Sequence, residues 1–250
     1  MKEILKRPAN LVREPLRYCP GCSHGTISRL VAEVIGELGI GEKCVGIVGV
    51  GCSGRSWRYI RCDWVMVPGH GRTLACATAV KRCHPKNIVW TYQGDGDLAS
   101  IGMAESIHAI NRGDKVTVIF VNNTYFGATG GQLAPTTLIG QSTSTCIEGR
   151  TVKDEGNPID MCRLLSTLDS NGYIERVALD TPAHIMKAKK AIRRAFEVQI
   201  NGEGYGFVEL LSACPSNLHM KPAEAMKWVG DVLTKKYPLG VYKEPVKEAE

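Results

Sequence analysis

Short, almost continuous apolar runs alternate along this chain with stretches of helical periodicity. The clearest runs are KCVGIVGVG at 43–51, NIVWTYQ at 87–93, KVTVIFV at 115–121, YIERVA at 173–178 and GFVELL at 206–211. Apolar runs separated by helices are typical of parallel strands that are buried on both faces of a sheet. The sequence therefore predicts an α/β fold, with a mainly parallel sheet and helices on both faces.

The predicted helices lie between these runs. Apolar residues recur at helical spacing in the segments 26–40, 71–83 and 99–112. Thr181 followed by Pro182 marks the start of another helix, as an N-cap residue with proline at the first helical position. The region 127–158 is rich in Gly, Thr, Ser and Gln, and its length indicates a functional loop.

Composition excludes several classes of function. The chain has 250 residues, of which 44% are hydrophobic and 22% charged, and its net charge is +6. No apolar run reaches the roughly 18–20 residues of a membrane span, and the start, MKEILKRPAN, lacks the apolar core of a signal peptide. The most basic stretch, KAKKAIRRAF at 187–196, reads as a solvated helix face, with docking to an acidic protein as the alternative. We therefore expect a cytoplasmic protein with no membrane or nucleic-acid partner.

A Gly-Asp-Gly sequence at 94–96 follows one predicted strand, and Asn122-Asn123 follows the next. The 25 residues between them provide one helix and one strand, so the two sequences should lie at adjacent strand tips. Asp95 and Asn123 would there offer oxygen ligands that suit Mg²⁺. The glycines allow an anion to approach the backbone, and the helix that begins near Ala99 directs its positive end toward it. Gly-Asp-Gly alone is commonly a simple turn, but with Asn-Asn at this spacing it indicates a metal-bound anion.

Ten cysteines are many for a cytoplasmic protein, in which disulfides are rare. Cys19 and Cys22 form a Cys-x-x-Cys sequence, which is compatible with half of a zinc site, a dithiol or half of an iron–sulfur site. Cys52 and Cys214 each follow a predicted strand. Both are therefore expected at the same edge of the sheet as Asp95.

Six motifs occur in the order YCPGCSHG, VGCSGR, GHGRTLACATAVK, GDGDLASIG, NNTYFGATGGQLAPTT and SACPSN. Together they resemble the β subunit of 2-oxoacid:ferredoxin oxidoreductases, over roughly residues 15–230. The resemblance implies one thiamine diphosphate-binding domain over residues 1–250, with an N-terminal Cys-x-x-Cys loop and a C-terminal extension that packs on partner subunits. It also implies oxidative decarboxylation of a 2-oxoacid to acyl-CoA and CO₂, with electrons passed to ferredoxin.

The cofactors that the resemblance implies are thiamine diphosphate, Mg²⁺ and one [4Fe-4S] cluster, with coenzyme A as co-substrate. The implied Mg²⁺ ligands are Asp95, Asn123 and the backbone oxygen of Tyr125. The implied cluster ligands are Cys19, Cys22, Cys52 and Cys214. Further cofactor contacts are implied for Gly96, Asp97, Gly127 and Thr129. The other cysteines match no ligand position, namely Cys44, Cys62, Cys76, Cys83, Cys146 and Cys162.

Two residues are candidates for direct roles in catalysis. His70 matches a His-Gly-Arg sequence that this family places near the cofactor, and the alternative is a structural histidine. Arg55 occupies a position where relatives carry a basic residue that faces the substrate carboxylate, and the alternative is a surface arginine. The remaining histidines show no partner pattern and are interpreted as surface or core residues: His24, His84, His108, His184 and His219.

Two further components are expected on other chains. The carboxylate that activates thiamine belongs, in this family, to the α subunit, and the dense cysteine pattern of a ferredoxin module is missing here. We therefore expect one subunit of a hetero-oligomer, inactive alone, with α, γ and ferredoxin-like δ subunits and ferredoxin as the acceptor. The motifs resemble the 2-oxoisovalerate and 2-oxoglutarate branches most, and a branched-chain substrate is favoured over 2-oxoglutarate or pyruvate.

Two other functions stay open from the sequence. The first is a non-oxidative thiamine-dependent decarboxylase or carboligase, in which the cysteines bind zinc or nothing. The second is a non-enzymatic metal-binding or nucleic-acid module that uses Cys19 and Cys22. Ala128, five residues after Asn123, is a candidate size filter for the substrate chain, unless its side chain faces the protein.

Overall fold

Seven strands form one sheet in the part of the chain that the computed structural model describes, residues 6–246. The strands of the molecule are β1 (Cys44–Val48), β2 (Asp63–Met66), β3 (Ile88–Gly94), β4 (Thr117–Asn122), β5 (Tyr125–Phe126), β6 (Gln132–Leu133), β7 (Gly172–Ala178), β8 (Tyr205–Leu211) and β9 (Gly240–Lys243). The order in the sheet is β2-β1-β3-β4-β8-β7-β9, and β5 pairs with β6 in a separate hairpin. All pairs in the sheet are parallel except β7 with β9.

Helices cover both faces of this sheet. The α-helices are α1 (His24–Glu37), α2 (Thr73–Cys83), α3 (Met103–Asn111), α4 (Val152–Glu155), α5 (Met161–Ser166), α6 (Pro182–Ile200), α7 (Pro215–Leu218), α8 (Pro222–Trp228) and α9 (Thr234–Lys236). One apolar cluster joins α1 and α6 to Trp90 of β3. A second joins α2, α3 and α5 to the other face. The predicted α/β fold with a mainly parallel sheet is confirmed.

The sequence predicts the central strands of the sheet correctly but does not predict its two edge strands. Each of the five predicted strands is present within a few residues of its predicted bounds. The edge strands β2 and β9 were not predicted, because they are short and partly exposed and lack the continuous apolar pattern. Thr181 caps α6 as predicted, since its side chain accepts a hydrogen bond from the His184 amide.

The predicted helix at 99–112 is divided in two. A π-helical turn, Gly96–Ile101, begins directly after Asp95, and α3 follows from Met103. Gly102 marks the division, because a side chain there would lie 2.6 Å from the carbonyl oxygen of Gly71. The loop that carries His70 therefore packs against the start of α3.

The ends of the predicted domain, residues 1–5 and 247–250, lie outside the described residues. The first of these include part of the segment interpreted as lacking a signal peptide. Among the helices of residues 6–246, none is both long enough and apolar enough to cross a membrane.

Candidate cofactor site

A cavity lies at the edge of the sheet where the parallel strands end. Because β1, β3, β4 and β8 run in the same direction, the residues that follow them meet at this edge. The cavity is lined by His24, residues 50–53, His70, residues 94–97, Asn123 and residues 125–129. Most of the predicted cofactor and metal residues therefore face one space.

Asp95 and Asn123 form one end of the cavity, which we name the metal end. Asp95 is 1% exposed, and its carboxylate accepts hydrogen bonds from the Thr136 hydroxyl (2.8 Å) and the Asn123 amide (3.2 Å). The Asn123 side chain in turn accepts a bond from the Tyr125 amide (3.2 Å). The three predicted metal ligands are thus adjacent and connected.

Burial raises the pKa of Asp95 to about 7, because removing the carboxylate from water disfavours its charge. Asp95 makes no ion pair with any lysine, arginine or histidine in the described part of the chain. A divalent cation bound at this carboxylate would supply the missing positive charge. The donor set of one carboxylate, one amide and a nearby backbone carbonyl fits Mg²⁺.

The backbone bends sharply between Asn123 and Tyr125. Thr124 has φ +67°, a left-handed conformation that is costly for a β-branched residue. Its carbonyl accepts a bond from the Thr137 hydroxyl (2.5 Å), and its hydroxyl accepts one from the Gln141 amide (2.7 Å). The loop after residue 127 therefore stabilises the bend, which brings Tyr125 into the wall of the cavity.

Asp97 supports His70 through its side chain. Its carboxylate accepts four hydrogen bonds at 2.6–2.8 Å, from His70 Nδ1, the Gly71 amide, Thr73 and Gln93. Because a carboxylate can only accept hydrogen bonds, Nδ1 of His70 carries the hydrogen in its bond to Asp97. The other ring nitrogen, Nε2, lies on the opposite side of the ring. His70 lines the cavity, as its predicted role near a cofactor requires. Thr73 and Gln93 carried no signal in the sequence.

Cys52 lines the cavity at its other end, and we name the region of the four predicted cluster cysteines, Cys19, Cys22, Cys52 and Cys214, the thiol end. The sulfurs of Cys52 and Cys214 both lie 3.8 Å from the point where a Cβ atom on Gly127 would sit. The side-chain nitrogen of Asn123 is 3.5 Å from the same point. Gly127 therefore forms a common wall between the metal end and the thiol end.

The four thiols are close enough to act on one another electrostatically. Burial raises the pKa of Cys22 to about 12, with further contributions from Cys214, Cys52 and Cys19. The pKa values of Cys52 and Cys214 are also raised, first by burial and then by neighbouring cysteines. Within residues 6–246, no three Cys, His, Asp or Glu side chains converge on a single ion position. Four cysteine thiols would fit an iron–sulfur cluster, and they would also fit zinc.

His24 also belongs to the cavity, although the sequence placed it among surface or core residues. It is 2% exposed, stacks on Tyr18 at 5.2 Å and bonds through Nδ1 to the Tyr92 hydroxyl at 2.6 Å. Burial lowers its pKa to about 4, so the ring is neutral at pH 7. These contacts attach the Cys-x-x-Cys loop to β3.

Other predicted residues take different positions. Arg55 is exposed, donates to the Arg17 carbonyl (3.1 Å) and is not among the residues that line the cavity.

Thr129, Gly96 and Ala128 all line the cavity. Thr129 bonds to Gln132 (2.7 Å). Gly96 allows Phe126 to pack against it, since a Cβ atom there would lie 2.3 Å from the ring. Ala128 is exposed and lines the cavity.

A buried network of charged side chains is connected to the metal end by hydrogen bonds. Glu209 and Arg176, both 0% exposed, form an ion pair at 2.8 Å, and Glu209 also accepts a bond from Asn122 (2.7 Å). Arg176 also pairs with Asp160 and lies over the rings of Tyr237 and Tyr242.

Tyr237 links this network to the metal end. It donates to the Thr136 carbonyl (2.7 Å), and Thr136 bonds to Asp95. Glu209 and Arg176 were hidden in runs that read as apolar strands.

Residues 49–210 match the family described as "Thiamine pyrophosphate enzyme, C-terminal TPP binding domain". The chain therefore belongs to the thiamine pyrophosphate enzymes. Within this class, its relatives are subunits of 2-oxoacid:ferredoxin oxidoreductases, and the resemblance stated from the motifs is confirmed.

One such relative is the ketoisovalerate oxidoreductase subunit VorA of Methanothermobacter marburgensis, which is 44% identical over 250 residues, covering 100% of this chain and 52% of the relative. Another is the 2-oxoglutarate synthase subunit KorB of Methanocaldococcus jannaschii, 34% identical over 223 residues, or 87% of this chain and 78% of that one. This chain thus spans about half the length of the VorA relative.

The fold is shared with a solved structure, a 2-oxoglutarate:ferredoxin oxidoreductase from Magnetococcus marinus with 2-oxoglutarate, coenzyme A and succinyl-CoA bound. The TM-score is 0.77 and the sequence identity 24%, with 99% of this chain and 87% of that chain covered. At this identity, the comparison establishes the fold.

Proposed function

We propose that this chain is the thiamine diphosphate- and [4Fe-4S]-binding subunit of a complex that oxidatively decarboxylates a 2-oxoacid. The products are acyl-CoA and CO₂, and the electrons pass to ferredoxin. The observation that carries the proposal is the position of Gly127, beside Asn123 of the metal end and the Cys52 and Cys214 sulfurs of the thiol end. A metal-bound diphosphate and an electron acceptor would then occupy neighbouring positions.

The residues of the two ends have separate roles in this proposal. Asp95, Asn123 and the Tyr125 carbonyl hold Mg²⁺ at the diphosphate, while Cys19, Cys22, Cys52 and Cys214 hold the cluster. When bound, thiamine diphosphate stabilises the charge left by decarboxylation, and the cluster accepts electrons one at a time. Gly96, Gly127 and Thr129 form the cavity wall that would face the cofactor.

The hydrogen bond to Asp97 determines which ring nitrogen of His70 carries a hydrogen, and so which one is free for a role near the reacting atoms. Its Nδ1 hydrogen is donated to Asp97, so Nε2 is the atom that is available to accept or donate a proton. The three other donors to Asp97 fix the carboxylate and thereby the ring. Asp97 thus acts on the cofactor site by positioning His70.

The favoured substrate is a branched-chain 2-oxoacid such as 2-oxoisovalerate. Support comes from the 44% identity to a ketoisovalerate oxidoreductase subunit, against 34% to a 2-oxoglutarate synthase subunit. Ala128 supports it too, because a small side chain on the cavity wall leaves space for a branched chain. The same chemistry on 2-oxoglutarate or pyruvate is the alternative. The proposal keeps Arg55 as the carboxylate-binding residue, which requires it to exchange the Arg17 carbonyl for substrate.

The proposal includes partner chains. An α subunit supplies the carboxylate that activates thiamine, γ and ferredoxin-like δ subunits complete the complex, and coenzyme A is the acyl acceptor. The single domain of residues 1–250 packs on these partners through its C-terminal extension. The subunit names of the relatives support an assembly of this kind.

The test is an assay of the anaerobically purified complex on a panel of 2-oxoacids, with a viologen as electron acceptor. We expect CoA-dependent reduction of the viologen, fastest with 2-oxoisovalerate, together with iron and acid-labile sulfide in the chain. Decarboxylation without reduction of the acceptor, in protein that lacks iron, would instead establish the non-oxidative alternative.

A further inference from the structure

Cys44 and Cys62 lie beside each other at the start of two neighbouring strands. Val45 of β1 pairs with Asp63 of β2 in a parallel register, and Cys44 and Cys62 immediately precede these residues. Opposed residues on adjacent strands are about 4.8 Å apart. This spacing lies within the range of roughly 4.4–6.8 Å between Cα atoms that a disulfide requires.

Both side chains point to the same face of the sheet. Cys44 belongs to the apolar cluster of α1, α6 and Trp90, and Cys62 packs against that cluster. Val45, one residue after Cys44, and Val65, three residues after Cys62, pack on the opposite face. The neighbouring Cys62 thiol, together with burial, raises the pKa of Cys44 well above its ordinary range. The two side chains therefore lie beside each other on one face of the sheet.

The two thiols differ in their access to solvent. Cys44 is 0% exposed, whereas Cys62 is half-buried and lines a surface pocket together with Asn10 and Glu42. A small oxidant can reach Cys62 directly, and Cys44 can then react only with its neighbour. Cys62 is thus the thiol that reacts with the oxidant, and Cys44 is the thiol that then forms the disulfide with it.

We propose that Cys44 and Cys62 are a dithiol–disulfide pair, formed by oxidation with a small hydroperoxide. The Cys62 sulfur attacks one oxygen of hydrogen peroxide, the O–O bond breaks, and a sulfenic acid and one water form. The Cys44 sulfur then attacks the Cys62 sulfur, displacing the hydroxyl as a second water as the S–S bond forms. In total, two thiols lose two electrons and two protons, and the peroxide becomes two waters.

The bond would close residues 44–62 into a ring that contains Cys52. This residue lies at the thiol end of the cavity, between β1 and the helical turn Ser53–Arg58. Oxidation would thus restrain the segment that carries Cys52, without using any of the four thiols of the thiol end. The pair follows from the register of β1 and β2, and so stands independently of the proposed function.

The experiment uses the anaerobically purified complex, treated briefly with hydrogen peroxide. Free thiols are then alkylated, and the protein is digested with trypsin for mass spectrometry. Peptide 44–55 contains both Cys44 and Cys52, so fragment ions must locate the link to peptide 62–72. We expect a Cys44–Cys62 bond, two hydrogens lighter than the separate peptides and reversed by dithiothreitol.

Variants separate the steps of the reaction. In Cys44→Ala, Cys62 should remain a sulfenic acid and be labelled by dimedone, whereas the wild type should show little label. Cys83→Ser removes an exposed cysteine elsewhere and should leave the bond intact. A link from Cys62 to Cys52, or over-oxidised Cys62 beside alkylated Cys44 in the wild type, would overturn the proposal.

Discussion

The metal end and the thiol end of the cavity are constructed in different ways. Asp95 and Asn123 follow directly on the central strands β3 and β4, are buried, and are hydrogen-bonded to neighbouring residues. The thiols lie on three separate loops, where Cys19 is exposed and the other three are half-buried. The proposed oxygen ligands are thus positioned by the sheet, whereas the proposed sulfur ligands lie on loops.

This difference has a physical consequence for assembly. Strand tips are held by the ladder of the sheet, so Asp95 and Asn123 are held in place without a metal. Loops are less restrained, and bonds from four thiolates to a cluster would fix them together. We therefore expect variants at the metal end to lose cofactor and keep their local structure, and variants at the thiol end to lose both.

Asp95→Ala should produce the largest loss, by abolishing Mg²⁺-dependent binding of thiamine diphosphate. The variant removes the anionic ligand that balances the metal charge. Because burial raises the pKa of Asp95, its charged form is costly, and the melting temperature without cofactor should not fall. Calorimetry and thermal unfolding of the complex measure the two effects. Asp114→Ala, remote from the cavity, is the control. Unchanged cofactor affinity in Asp95→Ala would show that Asp95 is not a metal ligand.

Cys214→Ser should remove most of the iron and acid-labile sulfide from the anaerobically purified complex, and with it reduction of the acceptor. It should also loosen the loop, since Asn217 bonds both to the Cys214 sulfur (3.3 Å) and to the Gly127 carbonyl (3.1 Å). Iron content and visible absorption are the measurements, with Cys83→Ser as the matched control. A full cluster in Cys214→Ser would show that the cluster ligands are different.

Ala128→Leu tests the space between the two ends. Ala128 is exposed on the cavity wall, so a larger side chain there should reduce the volume open to substrate and leave the core unchanged. We expect kcat/KM for 2-oxoisovalerate to fall about 10- to 200-fold relative to pyruvate, the usual effect of one or two methyl groups. Ala128→Ser controls for the substitution itself. Equal losses on both substrates would assign the choice of substrate to another subunit.

The sequence predicted the parts of the molecule that depend on local pattern. The five central strands are apolar runs, and the motifs around Asp95 and Asn123 follow them directly, so their meeting at one edge follows from parallel topology. Pairings between distant segments left no such signal. The bonds from Thr73 and Gln93 to Asp97, and the Arg176–Glu209 pair inside two apolar strands, depend on packing that no single segment encodes.

Thr136→Val should give the smallest effect, and it shows how far the metal end depends on its support. The variant keeps the size of the side chain but removes the 2.8 Å bond to Asp95, which orients the carboxylate and favours its charged form. Loss of one such supporting bond should weaken Mg²⁺ affinity by about tenfold, at the low end of the usual range. Calorimetric titration of the complex with Mg²⁺ in the presence of thiamine diphosphate measures this change.

Two further variants separate positioning from general stability. Thr136→Ser restores the hydroxyl and should recover the affinity. Thr78→Val removes a comparable threonine–aspartate bond, to Asp114 at 2.7 Å, far from the cavity, and should lower stability without changing Mg²⁺ affinity. If Thr136→Val bound Mg²⁺ as tightly as the wild type, the strand tips alone would be sufficient to position Asp95. The contrast with the thiol end would then be greater, because the metal end would need no support from the loop that carries Thr136.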